Sequence, residues 1–333
     1  MTKKIITILG AGNFGTAFAQ VMAKNGYIVH IWNWEGDTLP LRQIKKYGEN
    51  RKYLKGVKLS KYIKPLENFE EALAGTTAVF FAIPSGHVQH TIKFLSRSIP
   101  DNAYLVDLSK GIDPHSLELI PHIIAKHVRP SLRKKVVTIS GPAIATQLVH
   151  GVITIMNIAS KNVKAMQAVK RMVENDYVRL VPTTDVIGVE IGGSFKNVYA
   201  IAMGMCDSLG YGLNTKAALM TYAMHEIAEV IVAMGGKKKT AYELAGLGDL
   251  VGTALADQSR NRRFGEELGK GYDTQTACKR VKQTVEGIDA VRALLALKRQ
   301  HKLRLPFTEM IASCISGKSN PEVALDTFIK KLK

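Results

Sequence analysis

Cysteine is scarce in this sequence, and the few present exclude two kinds of scaffold. Cys206, Cys278 and Cys314 are odd in number, scattered, and without any CxxC or Cys/His ligand spacing. That speaks against a disulfide framework and a zinc site, and it fits a reducing, cytoplasmic compartment. The nine histidines show neither metal spacing nor a Ser-His-Asp arrangement, so no metal is expected. No run of about 18 uncharged apolar residues occurs, which excludes a membrane-spanning helix. Acidic residues are the other shortage: 28 against 46 lysines and arginines, a net charge of +18. Such a surplus suits nucleic acid, an anionic membrane or an anionic small substrate. The cations are spread from Lys3-Lys4 through Lys134-Lys135 to Lys330-Lys331, with no zinc-finger, RRM or basic-zipper pattern, so nucleic acid is not the expected partner.

What the sequence does hold is an alternating texture. Ile5–Leu9 predicts a first strand, Phe14–Lys24 a helix stopped by Asn25-Gly26, and Tyr27–Trp32 a second strand. Further strands are expected at Ala78–Ile83, Tyr104–Leu108 and Val136–Ile139, each running into turn or small residues. After about Asp185 the strand-like runs vanish, and long helical patterns follow at Val189–Met205 and Lys216–Met234. A chain of 333 residues exceeds the size at which one core stops growing. The fold class expected is α/β: a Rossmann-like doubly wound sheet over residues 1–181, then an all-helical domain over 182–333.

The N-terminus carries the first motif. Lys3-Lys4 and the apolar run to Ala17-Phe18-Ala19 have the outline of a secretory signal, but three glycines interrupt it at fixed spacing. Gly10-Ala11-Gly12-Asn13-Phe14-Gly15 is GxGxxG, placed between a strand and a helix. Gly10 permits the tight turn, Gly12 lets a pyrophosphate approach the backbone, and Gly15 lets helix and strand pack closely. The helix start then offers unpaired N–H groups and the positive end of its dipole. A NAD-specific site expects a carboxylate at the end of the second strand, where this chain has Asn33, with Glu35 slightly beyond. Asn33 brings no charge to repel a 2′-phosphate, so NADP(H) is the expected preference.

Two segments in the helical half suit carbonyl chemistry on an anionic substrate. Gly192-Gly193-Ser194-Phe195-Lys196 places two glycines inside a helix, at about 1 kcal/mol each relative to alanine, which signals a close approach to its backbone. Lys196 shares a face with Gly192, and a desolvated lysine can serve as general acid. Lys196 is equally readable as a surface lysine on a kinked helix. Gly246-Leu247-Gly248-Asp249 presents one carboxylate suited to orienting an ammonium group. Ser259-Arg260-Asn261-Arg262-Arg263 reads as the capped start of a helix with donors for a phosphate, or else as a solvated basic face.

In order along nearly the whole chain, these segments resemble bacterial-type NAD(P)-dependent glycerol-3-phosphate dehydrogenases. The resemblance is carried by GAGNFGTA at Gly10–Ala17, Ser109-Lys110-Gly111-Ile112, Ser140-Gly141-Pro142, Asp185 through Asn197 and AGLGDLV at Ala245–Val251. It continues through QSRNRRFGEELGKG at Gln258–Gly271 and Val285-Glu286-Gly287. It implies that Lys196 is the catalytic acid/base, with Lys110 beside substrate and nicotinamide and Asp249 partnering the lysines. It implies substrate contacts from Gly141, Ser259, Arg260 and Asn261, with Arg260 also touching cofactor. Asn13, Phe14, Trp34, Ala145 and Glu286 match cofactor-contacting positions. The implied reaction interconverts glycerol 3-phosphate and dihydroxyacetone phosphate, in a cleft between domains, and feeds glycerophospholipid synthesis; a homodimer is the default assembly. Ala143 departs from the family's Ser or Thr, Gly252-Thr253-Ala254 replaces its Leu-Thr-Cys, and Tyr222 stands where arginine is common. The rival readings are a 3-hydroxyacid-type dehydrogenase and a non-catalytic NAD(P)-sensing protein.

Overall fold

A computed structural model describes residues 3–257 and 259–332; Gln258, the first residue of the arginine-rich motif, lies outside them. The chain divides into two units: residues up to Asp113 with Glu118–Val186, and Ile187 onward with Pro114–Leu117. The first unit is built on one eight-stranded sheet. Its strands are β1 (Ile5–Leu9), β2 (Ile28–Trp32), β3 (Ile63–Pro65), β4 (Thr76–Phe81), β5 (Tyr104–Asp107), β6 (Val136–Ser140), β7 (Thr154–Ala159) and β8 (Val178–Thr183). They lie in the order β3-β2-β1-β4-β5-β6-β7-β8, parallel at every pairing except β6 with β7. The order runs outward in opposite directions from the β1/β4 pair, the switch point at which open α/β sheets bind ligands.

The central strands are apolar on both faces because both faces are covered. Neighbouring phenylalanines of β4 divide between the layers. Phe80 packs with Ile8, Phe18, Val21 and Ile31, while Phe81 packs with Leu9, Val88, Ile92 and Ile124. β1 stands where the sequence predicts it. β3, β7 and β8 stand where the sequence predicts no strand, and the β6–β7 pairing makes the sheet mixed rather than wholly parallel.

β8 is an edge strand whose outer side is already occupied. Tyr177 and Thr183 turn their carbonyls toward β7, so the intervening even-numbered residues face outward. Val178 exchanges bonds with Asn175, donating to its Oδ1 at 2.9 Å and accepting from its N–H at 3.2 Å. Leu180 donates to Glu174 Oε1 at 2.9 Å and accepts from Lys170 Nζ at 2.6 Å. Pro182 has no N–H.

The second unit is helical, and its two long helices span Val186–Ser208 and Leu213–Ala233. The first is buried almost all round from Val189 to Cys206, which is why its apolar pattern lacks a clear polar face. It crosses the helix Arg260–Gly269 with the two backbones touching. A Cβ on Gly204 would lie 1.8 Å from the Arg262 carbonyl oxygen, and one on Gly265 would lie 1.9 Å from that of Ile201. Glu226 ties three helices together. Its buried carboxylate accepts from Tyr199 Oη at 3.0 Å, Phe307 N at 2.6 Å, Thr308 N at 3.0 Å and Thr308 Oγ1 at 2.6 Å. Burial pushes its pKa up, against these four donors.

Candidate active site

The glycine loop leaves β1 at the switch point. Gly10 has φ +109°, and its N–H donates to Trp32 O at 2.8 Å. A Cβ there would lie 2.3 Å from the Ala82 carbonyl oxygen, and one on Gly15 would lie 2.0 Å from that of Gly10. Both positions are closed by main chain. Gly12 is the opposite case: it caps the helix Asn13–Lys24, and nothing lies within 4 Å of where its Cβ would be. The first turn of that helix holds no acidic residue. An anion therefore meets open backbone there, at the positive end of a helix dipole.

Two buried asparagines hold this loop. Asn33 Oδ1 accepts from Ala11 N at 3.1 Å, and its Nδ2 donates to Asp37 O at 2.7 Å. Both ends of the Asn33 amide thus serve the backbone, a structural use the sequence did not disclose. Asn50 Nδ2 donates to Ala11 O and to Thr16 Oγ1, both at 2.8 Å, from a fully buried position. No sequence motif points to Asn50, since an asparagine before Arg51-Lys52 reads as an ordinary turn residue. Trp34 is 63% exposed beside Gly36, and Phe14 packs on Phe18 at 5.9 Å between centroids. Ala145 begins a short helix, Ala145–Val149, that packs on the same core.

Elsewhere in the sheet unit, Lys110 Nζ donates to Gly141 O at 3.1 Å, which joins the residues following β5 and β6. Ala143 packs against the sheet core as a partly buried methyl group.

In the helical unit, Lys196 lies within the long helix at 7% exposure, ion-paired to Asp249 at 2% exposure. The glycine spacing explains how they meet. A Cβ on Gly192 would stand 3.0 Å from both the Ala245 carbonyl oxygen and Gly246 Cα, so the loop lies directly on the helix one turn before Lys196. That loop is a single π-turn, Leu244–Gly248, leading straight into the short helix Asp249–Ala254. Wide turns of this kind recur at functional sites.

Ser259 caps the helix Arg260–Gly269, its Oγ accepting from Arg262 N at 3.3 Å. The first turn carries cations and no acid, an arrangement the helix dipole disfavours unless an anion is at hand. Arg262 is committed to structure, with Nε donating to Asp207 at 2.6 Å. Arg260 meets Glu286 at 3.5 Å, and Glu286 also accepts from Asn197 Nδ2 at 3.4 Å. Asn261 Oδ1 accepts from Gly287 N at 2.8 Å, which leaves its Nδ2 as the donor end. Lys196 and Asp249 are thus paired, and Asn197, Arg260 and Glu286 form a second linked group. Sequence reasoning missed Gly204 and Gly265, which set the distance between the two helices. Among the described residues no cluster could hold a metal, and no helix is long and apolar enough to cross a membrane.

Sheet order and glycine loop define a Rossmann-type dinucleotide-binding fold joined to a helical unit. Comparison with known proteins narrows this class. A family model for the N-terminus of NAD-dependent glycerol-3-phosphate dehydrogenase matches residues 5–166, and the model for its C-terminus matches 185–326. Glycerol-3-phosphate dehydrogenases (NAD(P)+) of Bacillus velezensis and Bacillus subtilis are 36% and 35% identical over 330 residues, covering 99% of this chain and 95% of each relative. The crystal structure of glycerol-3-phosphate dehydrogenase from Coxiella burnetii superposes with a TM-score of 0.92 at 32% identity, covering 99% of both chains. The chain belongs to the NAD-dependent glycerol-3-phosphate dehydrogenase family.

Proposed function

We propose that this protein interconverts sn-glycerol 3-phosphate and dihydroxyacetone phosphate with a nicotinamide dinucleotide, and that reduction toward glycerophospholipid synthesis is its working direction. The observation that carries the reading is the buried Lys196–Asp249 pair. A lysine taken out of water beside one carboxylate is a proton donor held in place rather than a solubilising charge.

The dinucleotide fits the residues present, because Gly12 is open and the helix it caps begins without a carboxylate. Gly10, Gly12, Asn13, Phe14 and Gly15 would hold it, with Trp34, Lys110, Ala145, Arg260 and Glu286 as further contacts. When bound, the nicotinamide supplies or accepts hydride at the substrate's C2. In the direction of reduction Lys196 gives its Nζ proton to the oxygen on C2, and in oxidation it takes that proton back. Asp249 orients the ammonium and balances its charge. Lys110 and Gly141 provide the sheet unit's substrate contacts. Ser259, Arg260 and the Asn261 amide bind the phosphate at the helix start. Residues 182–333 thereby act as the substrate and catalytic domain. The absence of a hydroxyl at Ala143 weakens substrate affinity without removing the proton donor. NADP(H) is the preferred cofactor, a preference that the uncharged Asn33 permits because it brings no charge to repel a 2′-phosphate. The protein works in the cytoplasm as a homodimer.

Turnover of dihydroxyacetone phosphate with NADPH and NADH in parallel tests this. Lys196→Ala should lower kcat about 10²–10⁴-fold and leave dinucleotide binding nearly unchanged. Asp249→Asn should follow it in direction. Near-normal kcat in Lys196→Ala would overturn the assignment.

A further inference from the structure

The turn that leaves β2 contains an ion pair that the glycine motif does not account for. Lys52 Nζ donates to Asp37 Oδ1 at 2.7 Å, and Tyr53 Oη donates to Asp37 Oδ2 at 2.8 Å. The pair belongs to the phosphate loop's own hydrogen-bonded framework. Asp37 is held through its carbonyl by Asn33, whose other end bonds Ala11. Lys52 follows the buried Asn50, which bonds Ala11 and Thr16. Its own N–H is fixed on Gln43 Oε1 at 2.8 Å. Two chain segments thus bring one cation and one anion to the end of the second strand, where Rossmann folds read the adenosine ribose. Trp34 lies on the same turn and is 63% exposed, its ring over Gly36.

Resting on the dinucleotide reading above, we propose that the Lys52–Asp37 pair, rather than Asn33 or Glu35, discriminates between a phosphorylated and a free ribose 2′-position. Lys52 leaves Asp37 for a 2′-phosphate. With an unphosphorylated ribose the pair stays closed, and Asp37 accepts from the 2′-hydroxyl.

Three observations favour the pair over its neighbours. Asn33 has both amide ends on the backbone, so it cannot also read the ribose without loosening the loop. Arg51 is occupied by Glu49 at 3.2 Å and lies over Tyr47 at 3.8 Å. The Lys52 and Asp37 side chains are 37% and 12% exposed, so their attraction is weakened by water and open to exchange. The hydrogen bond to Asp37 also holds the lysine pKa above its ordinary value. A 2′-phosphate brings about two negative charges and three acceptor oxygens, a stronger partner for an ammonium than one carboxylate.

Binding of ADP-ribose and 2′-phospho-ADP-ribose to the full chain, measured by titration calorimetry, tests the pair without catalysis. Lys52→Ala should weaken the phosphorylated ligand about tenfold or more and ADP-ribose less than about twofold. Asp37→Asn should act with opposite sign, tightening the phosphorylated ligand and weakening ADP-ribose severalfold. Parallel changes for both ligands, or none, would overturn the proposal while leaving the dinucleotide reading intact. If neither ligand binds the unmodified protein, the dinucleotide reading fails and this inference falls with it.

Discussion

The two units build their candidate sites from opposite materials. In the sheet unit the anion-facing surface is bare backbone: Gly12 open to solvent, and a helix start without charge. Side chains there act from behind, as Asn33 and Asn50 bond the loop from buried positions. In the helical unit charged side chains stand in front, with Lys196 against Asp249 and Arg260 against Glu286. Glycines there act from behind, at Gly192, Gly204 and Gly265, by letting backbones come close enough to present those charges. Dipoles of the main chain suit a ligand common to many proteins and need only correct geometry. Charged side chains suit one substrate and one proton, and they need burial, pairing and a rigid support.

Substitutions that strike the hidden supports of each unit should separate the two designs. The largest effect is expected from Gly204→Val, which drives a side chain into the Arg262 carbonyl. It should cost about 3 kcal/mol in urea unfolding and raise KM for dihydroxyacetone phosphate more than for cofactor. A loss confined to cofactor binding would contradict the assigned role of this crossing. Next is Asn50→Ala, which takes the donor from the Thr16 hydroxyl and leaves the Ala11 carbonyl to the longer bond from Thr16 Oγ1 at 3.3 Å. A loss of about 1–3 kcal/mol is expected, with weaker ADP-ribose binding and little change in kcat at saturation. An unaltered ADP-ribose affinity would show that the loop holds its shape without Asn50.

The smallest effect, and the sharpest in pH, is expected from Asp207→Asn. Burial raises the Asp207 pKa, but bonds and charge from Lys216 and Arg262 outweigh it and hold the carboxyl below its ordinary range. A carboxylate with a depressed folded-state pKa stabilises above its unfolded value, near pH 4, and loses that contribution as pH falls through the folded value. The deficit in Tm should therefore be constant from about pH 5 to 8, worth about 1 kcal/mol, and should shrink in stronger acid. A deficit that persists unchanged at about pH 2 would assign it to packing instead.

Legibility in the sequence follows the same division. β1 and the helix after GxGxxG were readable because β-branched runs and glycine spacing are local signals. β7 and β8 were not, since Thr154–Ala159 mixes methionine and asparagine and Val178–Thr183 carries Arg179 and Pro182. Lys196 and Asp249 were each visible as candidates, but their pairing spans 53 positions and depends on where the π-turn lies. Asn50 and Gly204 were hidden for a plainer reason. One resembles any turn asparagine and the other any small residue in a helix, and only the neighbour each touches distinguishes it.

The outer border of β8 bears on how this protein behaves when crowded. A free sheet edge is a template on which another chain can lay down a strand, a common route to fibres. Here a passing strand finds Val178 engaged with Asn175, Leu180 engaged with Glu174 and Lys170, and a proline next in line. The two N–H groups that would donate to it, those of Val178 and Leu180, are already committed. Strand addition is therefore disfavoured at this edge of the sheet.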